Sequence, residues 1–313
     1  MVQNEGICIK NPGMMTLLMD EGRIASMHSG LTESGPMDET AAEWANWLCA
    51  NTRGPFLEVV GKITLEFTCK TSFAVTGPVW TITVNGNEYA PWCAINVLPG
   101  DIVEATPSWP TARMYIAAAG KWQVPRLAGS CATVCREQLG GLNNAGTPLK
   151  ENDTITIGDT RHTDEREVPV ALQPEYGPGQ IDFICGYQCG LFTDTLRQQF
   201  FNQTFSLTPA SDRMGFRLKG HPLPHSITSL MSEGITLGAL QIPQDGQPIV
   251  MMRDRQTLGG YPKLGCIARY DLSRFAQCQP GDDITFREVD IENARGEWLL
   301  RYHYRERYKQ SFS

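Results

Sequence analysis

No run of this chain approaches the roughly 18–20 consecutive apolar residues that a bilayer-spanning helix needs. Met1 to Lys10 also lacks a basic flank followed by an apolar segment, so the chain reads as cytosolic. A basic excess is missing too: 27 Lys and Arg stand against 34 Asp and Glu, a formal charge of −7. That balance opposes wide contact with a phosphate backbone, which needs a cationic stripe to displace counterions, so no nucleic-acid partner is expected. The chain holds no G-x-x-x-x-G-K-[ST] loop, no G-x-G-x-x-G opening a helix and no H-E-x-x-H. It therefore announces no nucleotide or zinc site of its own.

Cysteine is plentiful, but metal-ligand spacing is not. Of the ten cysteines only Cys131/Cys135 and Cys185/Cys189 are close pairs, both C-x-x-x-C with no histidine nearby. The expectation is reduced thiols packed as small hydrophobes and no metal site. His221 and His225 have i, i+4 spacing, yet Pro222 and Pro224 forbid the helix that would bring them onto one face.

The chain is rich in punctuation: 30 Gly and 20 Pro interrupt short Val, Ile, Thr and Phe runs. Such a pattern predicts a mainly β fold with tight turns. Strands are expected at Lys62–Phe67, Ser72–Thr76, Thr81–Val84 and Glu88–Trp92, the last two joined by Asn85-Gly86, whose residues tolerate the positive φ of a type I′ turn. Pro99-Gly100-Asp101 feeds a strand at Ile102–Ala105 and Pro280-Gly281-Asp282 one at Ile284–Val289, a hint of duplicated architecture. Helices look few and short. Asp38, Thr193 and Asp271 are the expected caps of three of them. With 313 residues, two domains are expected, and the polar stretch Asp159 to Arg166 places them at residues 1–165 and 166–313.

Chemistry concentrates between Ser211 and Lys263. In Asp254-Arg255-Gln256-Thr257-Leu258-Gly259-Gly260-Tyr261-Pro262-Lys263, an acid, an amide, a hydroxyl and a cation flank a Gly-Gly pair that lets backbone approach an anionic oxygen closely. Lys263 is a candidate positive charge for developing oxyanion density and Asp254 a candidate proton carrier, with Tyr261 or Gln256 orienting an amide. Arg213, in Ser211-Asp212-Arg213-Met214-Gly215, is a candidate carboxylate clamp, since guanidinium binds carboxylate bidentately. Substrate-binding candidates are Gly259, Gly260 and Gln241, together with Ser130 and Thr133 in the irregular stretch Gly129 to Gly141. The basic and aromatic segment Trp298 to Tyr308 is expected to be a packed or partner-facing terminus.

These segments also carry a resemblance. Gly35-Pro36-Met37-Asp38, Gly129-Ser130-Cys131-Ala132-Thr133 with Leu139-Gly140-Gly141, Ser211 to Gly215, Gln241-Ile242-Pro243, Gly246-Gln247-Pro248-Ile249 and Gln256-Thr257 with Gly259 to Lys263 occur in order. Over about Pro12 to Phe286 they resemble the family of the 5-oxoprolinase C subunit, also called allophanate hydrolase subunit 2, which is similar to the carboxyltransferase portion of urea carboxylase. Gly186-Tyr187-Gln188-Cys189-Gly190 departs from the family's G-P-Q-x-D, and Leu258 replaces a Thr. The resemblance implies two cyclophilin-like β-barrel domains and partnership with A and B subunits. Together these would open 5-oxo-L-proline to L-glutamate with ATP, the ATP being bound with the partner. Two alternatives stay open: a biotin-dependent carboxyltransferase component acting on urea or a related amide, and a non-catalytic regulator binding a kinase-inhibitor-like B subunit.

Overall fold

The computed structural model describes residues 5–227 and 230–312; residues 1–4 of the N-terminal stretch and residues 228 and 229 of the Ser211 to Lys263 region lie outside the described residues. The chain is mainly β and divides into two compact units, Met1–Ser26 with Glu33–Pro174, and Met27–Thr32 with Glu175–Ser313.

Unit 1 carries β1 Gly6–Asn11, β2 Met15–Met19, α1 Glu39–Leu48, β3 Phe56–Val60, β4 Ile63–Phe67, β5 Thr71–Thr76, β6 Val79–Val84, β7 Asn87–Tyr89, β8 Ile95–Val97, β9 Ile102–Pro107, β10 Arg113–Ala118, β11 Lys121–Trp122 and β12 Thr154–Gly158. They form one sheet in the order β11-β12-β1-β4-β9-β6-β7 and another in the order β2-β3-β10-β5-β8. Strand β4 alternates, sending Ile63, Leu65 and Phe67 into an aliphatic core shared with Leu57, Val59, Val75 and Ile116 of the second sheet. Strand β5 is buried along its whole length, because α1 packs against it and β10. Asp38 starts α1 as expected, its carboxylate accepting from Ala41 N at 3.0 Å. Asn85 and Gly86 have φ of 52° and 83°, the two positive values that a type I′ hairpin requires.

Unit 2 carries β13 Gly179–Cys185, α2 Asp194–Phe201, β14 Phe205–Leu207, β15 Gly215–Lys219, β16 Glu233–Gly234, β17 Ala239–Gln241, β18 Ile249–Met251, β19 Leu258–Gly259, β20 Lys263–Ile267, α3 Arg269–Ala276, β21 Asp283–Glu288 and α4 Ile291–Gln310. Here the sheet closes into a barrel, β13-β20-β17-β18-β15-β14-β21, sealed by the parallel pairing of β13 with β21. Closure leaves no edge strand to protect. Aromatics fill the barrel end. Phe200 of α2 stacks on Phe286 at 4.8 Å, with Phe183 and Phe205 against them.

Two expectations change. The third helix is capped at Ala268, and Asp271 lies inside it, where its carboxylate accepts from Asp182 N at 2.7 Å across the barrel wall. Helices are not all short: the terminal basic and aromatic segment is a 20-residue helix, α4, whose one buried residue is Ala294. Arg269 lies over the Trp298 ring at 5.3 Å and Arg301 over Tyr270 at 4.7 Å, and Trp298 and Tyr302 stack one turn apart, so cation–π and ring contacts dock α4 where an apolar stripe would usually do so. Among the described residues no helix is long and apolar enough to cross a membrane.

Candidate active site

Strands β17 and β20 pair so that Gln241 faces Lys263, with a bulge between Leu240 and Gln241 that re-aims the side chains at this end of the barrel. The Lys263 ammonium meets a Glu233 carboxylate oxygen at 2.7 Å. Gln188 locks the pair: its amide NH2 donates to the same Glu233 oxygen at 2.8 Å, and its carbonyl accepts from Lys263 N at 2.8 Å. The Tyr187 hydroxyl donates to the other Glu233 oxygen. Hydrogen bonding to Lys263, then to Tyr187, holds the Glu233 carboxyl below the usual carboxylate range. Glu233 and Gly259 are partners in the β16–β19 ribbon, which brings the glycine loop to this cluster.

Gln241 is 2% exposed, and its amide nitrogen is buried with no hydrogen-bond partner among the described residues. A buried donor left unpaired costs about 1–3 kcal/mol, so it persists where something else compensates. A Cβ at Gly259 would sit 3.2 Å from that nitrogen and 2.7 Å from Ile235 Cδ1, so glycine is what leaves room there. A buried amide donor, an ammonium and a glycine thus meet at one place. An acceptor oxygen carrying developing negative charge suits that donor set.

The other expected residues divide. Arg213 and Asp254 are 8% and 6% exposed and form a bidentate pair, Nε to Oδ2 at 2.9 Å and Nη2 to Oδ1 at 3.0 Å. The carboxylate that Arg213 clamps is therefore one of the chain's own. Gln256 is exposed, and Tyr261 is half exposed on the wall of an adjacent cavity. A Cβ on Gly260 would approach Leu230 O at 3.2 Å. Ser130 and Thr133 belong to unit 1, where they build a closed polar knot. The Ser130 hydroxyl donates to Asp20 at 2.5 Å, Cys131 N to the same carboxylate at 2.9 Å, and Thr133 Oγ1 to Leu18 O at 2.7 Å. Burial pushes the Cys131 thiol well up, which suits packing and not nucleophilic attack. All ten cysteines are free thiols.

Sequence reasoning missed Glu233, Gln188 and Tyr187. The departure from the family pattern at Gly186 to Gly190 marked Tyr187 and Gln188, and Glu233 lay inside the Ser211 to Lys263 region without a role, because these contacts span 45 to 75 positions.

The carboxyltransferase domain, subdomains A and B, matches residues 29–288. The chain belongs to that family. Among family relatives, the 5-oxoprolinase C subunit of Escherichia coli is 33% identical over 90% of this chain and 91% of its own, and the Haemophilus influenzae protein of the same name is 29% identical over 88% and 89%. The solved urea amidolyase of K. lactis superposes with a TM-score of 0.88 at 25% identity; the match takes in 98% of this chain and 20% of that far longer one. Helix α4 begins beyond the last residue matched by the family.

Proposed function

We propose that this chain is the C-type subunit of a cytosolic, ATP-dependent 5-oxoprolinase, opening 5-oxo-L-proline to L-glutamate together with A and B subunits. The observation that carries the reading is the Gln241 amide nitrogen, without a partner among the described residues, beside Lys263 and Gly259, in a chain similar along nearly its whole length to proteins of that name. A lactam is a poor electrophile; transfer of a phosphoryl group from ATP to its oxygen, with ADP leaving, activates the carbon, so that water adds there, the C–N bond breaks with the ring nitrogen leaving as a protonated amine, and a second water cleaves the resulting acyl phosphate to L-glutamate and inorganic phosphate. In this reading Gln241 and Lys263 bind the lactam oxygen and spread its charge, and Glu233, held by Gln188 and Tyr187, positions the ammonium. Asp254 and Arg213 brace the loop as a buried pair, and the partner subunit holds ATP.

Reconstitution tests this. The chain alone is expected to form no glutamate from 5-oxo-L-proline and ATP, and the assembled complex is expected to form it. Glutamate production by the chain alone would overturn the reading, as would an assembled complex that makes none.

A second reading, a biotin-dependent carboxyltransferase component acting on urea or a related amide, draws on the superposition with urea amidolyase. Carboxyl transfer from a carboxybiotinyl carrier to urea, with no glutamate formed, would favour it.

A further inference from the structure

A cavity of about 520 Å³ opens in unit 2, walled by Thr208, Arg217, Lys219, Pro243, Asp245, Gln247, Pro248, Ile249 and Tyr261. Its floor is a row across three strands: Thr208 N donates to Arg217 O, and Arg217 pairs with Ile249. Arg217 and Lys219 stand two residues apart on β15, flanking buried Leu218, so both side chains leave the same outer face of the barrel, about 7 Å apart. Neither cation makes an ion pair among the described residues. The one carboxylate on the wall, Asp245, is turned into its own loop, accepting from Gln247 N at 3.0 Å. Gln247 closes on Gly220 through both ends of its amide, at 3.0 and 3.2 Å, which fixes that side of the wall.

Two cations against one carboxylate leave this concavity net positive in a chain of net charge −7, which favours an anionic ligand there. Beside them Pro243, Pro248, Ile249 and the Tyr261 ring supply an apolar, flat-sided lining. The volume lies within the roughly 300–1,000 Å³ of small-ligand sites. We infer that this cavity is a second ligand site, for a small organic anion whose carboxylate or phosphate meets Arg217 and Lys219 and whose flat or apolar body lies against Tyr261 and the prolines. It is separate from the Lys263 cluster, although Tyr261 belongs to the loop that carries both.

Calorimetric titration of the whole chain with phenyl phosphate, benzoate and inorganic phosphate tests this. The expected result is saturable binding of at least one ring-bearing anion, tighter than inorganic phosphate, weakened by added salt and weakened at least about tenfold in Arg217→Gln/Lys219→Gln. Phenyl phosphate above benzoate assigns a phosphate ester, and the reverse a carboxylate. Absence of saturable binding by all three probes overturns the inference, as does unchanged affinity in the double variant. Both positions are exposed on an outer strand face, so folding is retained. In the reconstituted complex the double variant is expected to keep its turnover at saturating substrate; a loss there would make the cavity part of the catalytic centre and overturn its separateness.

Discussion

The two units solve one turn in the same way and then part company. At Pro99-Gly100-Asp101 the Asp101 carboxylate accepts from Leu98 N at 2.7 Å, Gly100 N donates to Phe67 O, and Phe67 N donates to Asp101 O. At Pro280-Gly281-Asp282 the Asp282 carboxylate accepts from Gln279 N at 2.8 Å, Gly281 N donates to Leu207 O, and Leu207 N donates to Asp282 O. The glycines share φ of 94° and 95°, and each turn launches a strand. The two turns thus match bond for bond. Yet unit 1 keeps two sheets over its core and ties Ser130 and Cys131 to Asp20, whereas unit 2 closes a barrel and, among the described residues, leaves the Gln241 amide nitrogen without a partner beside Lys263. What sets the unit 2 donor apart is its company, since Gln241 pairs in register with Lys263 and faces Gly259, a donor set that suits an anionic oxygen.

The largest expected effect in that contrast is on stability. Arg213→Ala removes the bidentate partner of the buried Asp254 carboxylate, at a cost of about 3–5 kcal/mol, and Arg213→Met with Asp254→Leu recovers most of it. The sequence presents Arg213 as a clamp for a substrate carboxylate, a role whose loss would lower activity and leave stability nearly unchanged. Hydrogen exchange across β13 to β21 reads unit 2, while six of the seven tryptophans lie in unit 1 and report on it by fluorescence. Equal loosening of both units in Arg213→Ala would erase the distinction between them.

Lys263→Ala comes next. In the assembled complex it is expected to lower turnover at least about 100-fold, the scale of losing one oxyanion-stabilising donor, with assembly intact. In unit 1, Thr133→Val removes a hydroxyl already committed to Leu18 O and is expected to leave kcat within about threefold. Should Thr133→Val match Lys263→Ala in its effect, the assignment of chemistry to the unit 2 cluster fails.

Much of the framework was legible because local signals and tertiary structure agree. Asn85-Gly86, the Asp38 and Thr193 caps and both Pro-Gly-Asp turns each specify their own backbone within a few residues. Asp271 misled because a capping residue type sat three places inside a helix, its carboxylate taken by Asp182 N from across the wall. Helix α4 was hidden because polar residues surround it and its docking rests on Arg–ring contacts that hydrophobic periodicity does not encode. Lys263 and Gln241 stood out by motif. Glu233 and Gln188, which hold Lys263 in place, are set by barrel closure, and no spacing rule reaches that far.

The shared turn offers a smaller and symmetrical test. Asp101→Ala and Asp282→Ala each remove one carboxylate-to-backbone bond and are each expected to cost about 1 kcal/mol in urea unfolding. Asp101→Ala should lose slightly more, because its carboxylate also accepts from Asn85 Nδ2 at 2.7 Å. A large effect at one site and none at the other would mean that the two turns look alike without carrying alike.

The smallest effect concerns the seam that unit 2 alone closes in parallel. Asp182 and Arg287 are register partners there, and the carboxylate accepts from Arg287 at 2.7 and 2.8 Å and from the Tyr270 hydroxyl at 2.6 Å. Burial by itself raises the Asp182 pKa, but the Arg287 and Tyr270 hydrogen bonds pull it below the ordinary carboxylate value. A carboxyl depressed in the folded state contributes stability above its unfolded pKa, near about 4, and that stability is lost as pH falls through the folded value. Asp271, on the adjoining helix, is pushed up by burial and so acts in the opposite sense, which makes the total acid response a poor reporter of the seam. Comparison with Asp182→Asn isolates it. The stability gap between wild type and variant is expected to be flat from pH 7 to about 5 and to shrink below about 4. Its size should stay under about 1 kcal/mol, since the Arg287 side chain is 59% exposed and solvent screens the pair. A gap constant through the acid range would mean that the seam is held by the β13–β21 backbone ladder, with the ion pair contributing nothing that titrates.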